Sequence, residues 1–69
     1  MPYISVEGGS LSDEQKEQLI KRLTDVSSEI MNVPKEFFTV TLKELSDKNI
    51  GIGGRTIDKI KDEYAKNKN

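Results

Sequence analysis

Apolar and polar residues alternate from Tyr3 to Glu7, with Ile4 and Val6 on one side and Tyr3, Ser5 and Glu7 on the other. A period of two predicts a half-buried strand, and Gly8-Gly9-Ser10 ends it. The period then lengthens. Leu19, Ile20, Leu23, Val26, Ile30 and Met31 recur at helical spacing and form one apolar stripe. Glu14, Glu17, Lys21, Asp25 and Ser28 occupy the opposite face. Ser12 followed by Gln15 fits a capping box, and Asp13 and Glu14 suit the positive end of the helix dipole. Asn32 and Pro34 mark the end of this helix. Alternation returns from Phe37 to Leu42, with Phe38, Val40 and Leu42 facing one way and Phe37, Thr39, Thr41 and Lys43 the other.

Strand, helix and strand in that order predict an α/β fold. The protomer is a βαβ unit with two parallel strands, one long helix and a right-handed crossover. Gly51-Ile52-Gly53-Gly54 follows as a hairpin or a chain reversal needing positive φ. Ile57, Ile60 and Tyr64 then suggest a short C-terminal helix, with residues 66–69 frayed. The chain 1–69 reads as a single domain. Its one long helix covers one face of the sheet. A parallel sheet normally needs both faces covered, yet nothing in the chain is left for the face of Tyr3, Phe37, Thr39 and Thr41. Sheet and helix are therefore expected to pack against other copies of the same chain.

Composition strengthens that expectation. Only 33% of the residues are hydrophobic and another 33% are charged, a lean supply for a small core that has no disulfide to support it. The chain contains no Cys, His or Trp. Thiolate chemistry, imidazole bases and the usual soft metal sites are thereby excluded. A net charge of -1 argues against a nucleic-acid surface. No apolar run is long enough to span a membrane, and the N-terminus lacks the basic and apolar regions of a signal peptide. A cytoplasmic location is the default expectation.

With His and Cys absent, Pro2 is the residue of chemical interest. Removal of Met1 would leave a secondary amine at the chain terminus. An α-amino group titrates near 7.7–8.0 in reference peptides, and an apolar setting favours its neutral form. Such an amine is a competent general base, and its conjugate acid a general acid. The plainer alternative is that Pro2 is an ordinary second residue.

The chain resembles the 4-oxalocrotonate tautomerase family. Three stretches carry the resemblance: Pro2-Tyr3-Ile4-Ser5-Val6, Ser12-Asp13-Glu14-Gln15-Lys16-Glu17 with Leu19-Ile20, and Gly51-Ile52-Gly53-Gly54. The resemblance implies a homohexamer built as a trimer of dimers. It also implies tautomerisation of an unsaturated 2-hydroxy/2-oxo acid such as 2-hydroxymuconate, with Pro2 as acid–base and no cofactor or metal. Leu11 and Thr39 stand where the family places substrate-binding arginines, and Ile50 where it places an aromatic residue before the glycine turn. Leu does not replace an arginine–carboxylate fork, and neither does Thr. Arg55 and Lys43 are the cations considered as substitutes, and Ser10 and Thr41 are possible hydrogen-bond donors; a solvated surface role is the alternative for each. Lys16, Lys21, Arg22, Lys59 and Lys61 read as solvated helix faces. Two further readings stay open: a non-catalytic oligomeric scaffold or binding module, and another proline-based reaction of the superfamily.

Overall fold

A computed structural model describes residues 1–66. Strand β1 spans Tyr3–Gly8, helix α1 Asp13–Met31 and strand β2 Thr39–Glu44. The two strands pair in parallel, with Ile4 opposite Val40 and Val6 opposite Leu42. These four residues share one face of the sheet, and α1 packs on β2. A tight antiparallel hairpin follows, formed by β3 at Gly51–Ile52 and β4 at Arg55–Thr56. Helix α2, Ile57–Lys66, ends the described chain. This is the expected βαβ protomer with its glycine hairpin and short C-terminal helix.

Local chemistry accounts for the element ends. The Gln15 N–H donates to Ser12 Oγ at 3.1 Å, and the Ser12 N–H donates to Gln15 Oε1 at 2.9 Å. Each side chain thus satisfies a donor that the first helical turn leaves unpaired. At the other end Asn32 takes a left-handed conformation with φ 57°, and its N–H donates to the Ser28 carbonyl. Asn is among the few non-glycine residues that accept this geometry readily. The Ser28 hydroxyl then donates to the Val33 carbonyl at 2.6 Å, fixing the exit of the chain. In the hairpin, Gly53 and Gly54 have φ of 62° and 83°. Two successive positive φ values are what a two-residue turn between twisted strands requires.

The structure corrects three boundaries. Lys35–Phe37 forms a 3-10 turn, so β2 begins at Thr39 rather than Phe37 and runs on to Glu44. Pro34 holds φ at -57° and its carbonyl accepts from the Phe37 N–H at 3.1 Å, which favours the turn over an extended start. Strand β1 reaches Gly8 because Glu44 extends the ladder opposite it. Helix α2 includes Lys66, which was expected to fray; the remaining positions, 67–69, lie outside the described residues.

None of the described residues is buried. The apolar stripe of α1 is only partly covered: Leu19 and Leu23 are half-buried, whereas Val26 is 53% and Ile30 77% exposed. The second sheet face lies open, with Tyr3 64% exposed. Helix α2 rests on β4 and on a 3-10 turn at Asp47–Asn49, making a C-terminal arm beside the βαβ body. The radius of gyration is 16.0 Å, against about 11 Å for a compact domain of this length.

Candidate active site

The expected site residues fall at two ends of the protomer. Pro2 and Thr39 lie together at the start of the sheet, where the Thr39 N–H donates to the Pro2 carbonyl at 3.2 Å. Beside Pro2 is an open groove of about 620 Å³, lined by Met1, Pro2, Met31, Val33 and Phe37. Every lining side chain is apolar. Met31 is the last residue of α1, Val33 follows the left-handed cap, and Phe37 comes from the 3-10 turn. The cap at Asn32 and the turn after Pro34 thus set the walls around Pro2.

Leu11, Lys43, Ile50 and Arg55 occupy the opposite end. The six residues of β1 carry the chain about 20 Å from one end to the other. The Leu11 N–H donates to Glu44 Oε2 at 2.9 Å. Glu44 also meets Lys16 Nζ at 2.8 Å. The Lys16 contact first, and the Leu11 N–H second, hold the Glu44 carboxyl below its ordinary value. The Ile50 carbonyl accepts from the Ile57 N–H at 2.9 Å, closing the base of the hairpin. The two substitute cations both have acidic partners: Arg55 pairs with Glu63, and Lys43 lies 3.8 Å from Glu7. Thr41 exchanges a 2.8 Å hydrogen bond with the Tyr3 hydroxyl on the open sheet face. Ser10 lies in a separate polar groove with Ser46, Asp47, Lys48, Asp58 and Lys61.

Within one protomer, then, Pro2 meets Thr39 but none of the other four. Of the residues surrounding it, the sequence reading puts Met31 in the helix stripe and Phe37 in the second strand, and it assigns Val33 no role. Their signal was present in the apolar pair Met31 and Val33 flanking Asn32, directly before a proline. Among the described residues no cluster of three or more acidic side chains is placed to hold a metal ion, and no helix is long and apolar enough to cross a membrane.

The family model for tautomerase enzymes matches residues 2–60. The chain belongs to the tautomerase family. A probable tautomerase of Campylobacter jejuni is 35% identical over 68 residues, covering 96% of this chain and 100% of that protein. The 2-hydroxymuconate tautomerase of Pseudomonas putida is 37% identical over 49 residues, covering 71% and 78%. Among solved structures, DmpI from Archaeoglobus fulgidus superposes with a TM-score of 0.78 at 32% identity, covering 83% of this chain and 98% of that one. A heterohexameric 4-oxalocrotonate tautomerase from Chloroflexus aurantiacus gives 0.76 at 18% identity over 87% and 97%, a likeness of fold alone.

Proposed function

We propose that this protein interconverts enol and keto forms of an unsaturated 2-hydroxy/2-oxo acid of the 2-hydroxymuconate type, with Pro2 as general acid–base after removal of Met1. The observation that carries this reading is the apolar wall of Met31, Val33 and Phe37 beside Pro2, which does not depend on Met1. An amine against that wall loses part of the solvation of its charged form, which shifts it toward its neutral, basic form. Met1 is 96% exposed and open to removal.

In the forward direction the Pro2 nitrogen takes the proton of the 2-hydroxyl. The oxygen's electron pair forms the carbonyl, the diene shifts, and carbon 5 takes a proton back from the nitrogen. The reaction is a net transfer of one proton, so no redox partner or cofactor enters. The groove walls exclude water from one side of the amine. They supply no charge for the substrate's carboxylates, and Thr39 offers only a neutral hydroxyl. The remaining anion-binding groups must come from a second copy, in keeping with the open sheet face. We place the site between protomers of a homohexamer.

The test is turnover of 2-hydroxymuconate and phenylenolpyruvate by the Met-cleaved protein. Pro2→Ala should lower kcat/KM by about 10²–10⁴-fold, the usual worth of a positioned acid–base. A form retaining Met1 should be equally impaired, because the nitrogen is then an amide. Full activity in either form would refute the role of Pro2. Activity absent from the cleaved wild type would favour the scaffold reading, for which the lack of a cation beside Pro2 is the supporting observation.

A further inference from the structure

The chain has two arginines, and the structure treats them differently. Arg55 is neutralised by Glu63. Arg22 has no ion-pair partner among the described residues, and the reason is local. The acid three positions along its helix, Asp25, is already held by Lys21 at 3.1 Å and Lys35 at 3.0 Å. Arg22 lines a second groove of about 290 Å³ with Leu11, Gln15, Gln18 and Leu19. Arg22 is the only charged residue of that lining. The Gln15 side-chain oxygen is occupied by the Ser12 N–H, which leaves its NH2 group as a donor. A guanidinium, amide donors and two leucines on one side make a site for a carboxylate rather than for a cation or a neutral group.

We propose that this groove holds a carboxylate of the substrate, with Arg22 as its anchor and Gln15 and Gln18 as flanking donors. The inference rests on the diacid reading above and adds what that reading lacks, a cation for the substrate. Along α1, Arg22 is about 14 Å from Met31 and Gln15 about 24 Å, so the groove opens well away from the Pro2 wall of its own copy. Among the described residues, the sheet is β1 and β2 alone, so the outer edge of β1 carries no partner strand. Two copies paired along that edge about a two-fold axis run antiparallel. The start of one β1, with Pro2, then meets the end of the other, with Leu11. Leu11 thus lies where substrate is expected, and Arg22, one groove-width away on the helix, carries the charge that Leu11 does not.

The experiment uses Met-cleaved Arg22→Gln and Arg22→Lys proteins with two readouts. The first is kcat and KM for 2-hydroxymuconate. The second is alkylation of the Pro2 amine, followed by intact mass, with anionic 3-bromopyruvate and with its neutral ethyl ester. In that step the nitrogen–carbon bond forms, the carbon–bromine bond breaks, bromide leaves and the amine loses its proton. Arg22→Gln should raise KM tenfold or more. It should slow alkylation by the anion to a similar extent and leave the ester unaffected, while Arg22→Lys should recover part of both losses. Unchanged KM together with an unchanged anion-to-ester ratio would overturn the proposal and leave the role of Pro2 standing. If wild type turns over neither enol yet its preference for the anion vanishes in Arg22→Gln, the anchor stands and the tautomerase reading falls. Dissociation of the oligomer in Arg22→Gln, seen by sedimentation, would assign the residue to assembly and also overturn the proposal.

Discussion

At the scale of single residues, the candidate chemistry depends on how few polar groups surround Pro2. Phe37 and Met31 form much of its wall, and neither can stabilise an ammonium ion as water does. Replacing Phe37 with Ser admits water and a hydroxyl to the groove. The charged amine is then better solvated, so its pKa rises. The acid limb of the kcat/KM profile should move to higher pH by on the order of one unit, as a pH–rate series on Phe37→Ser and wild type would show. An unmoved limb would separate the groove from the amine's basicity. Arg22 illustrates the converse case: its helical neighbours are already paired, so its charge is left for something outside the protomer.

At the scale of elements, Glu44 fastens the end of β2 to the start of α1 through Lys16 and the Leu11 N–H. Its carboxyl is held below the ordinary value of 4.5. A depressed folded-state pKa adds stability above the unfolded value, and that stability is lost as pH falls through the lower folded value. Glu44→Gln should therefore show a lower urea midpoint than wild type at pH 7, with the gap narrowing as the pH falls below 4.5. Equal midpoints at pH 7 would mean that the fastening contributes nothing. The elements themselves were legible because each has a local cause: alternation in β1, the Ser12 box, and the paired glycines of the hairpin. The start of β2 was not. Phe37-Phe38-Thr39-Val40 alternates as a strand does, but hydrogen bonding back to Pro34 and Lys35 draws its first residue into a turn. Pro2 was legible as a chemical group, because a proline at position 2 would carry a secondary amine once Met1 is removed. Its walls were not, because Met31, Val33 and Phe37 come together only through the left-handed cap at Asn32 and the turn after Pro34. The pairing of Arg55 with Glu63 was equally hidden, since it depends on how the hairpin sets β4 against α2.

At the scale of the whole molecule, the expected site residues divide between two ends of an elongated protomer of 45 × 25 × 21 Å. Apolar surface is left exposed on the flank of α1, at Val26 and Ile30, and at Tyr3 on the otherwise polar open sheet face. The tautomerase relatives match this chain over most of its length, so the division belongs to the subunit and not to an insertion within it.

Because no described residue is buried, the homohexamer proposed above has a thermodynamic consequence: much of its stability depends on concentration. Folding and association become one equilibrium, and mass action enters the melting curve. Each tenfold dilution should lower stability by roughly 1 kcal/mol per protomer. Calorimetry across a hundredfold range of concentration should show the midpoint falling with dilution. A constant midpoint would mean that the lone chain stands by itself. Refolding should likewise slow on dilution, because the step that completes the core is an encounter between molecules.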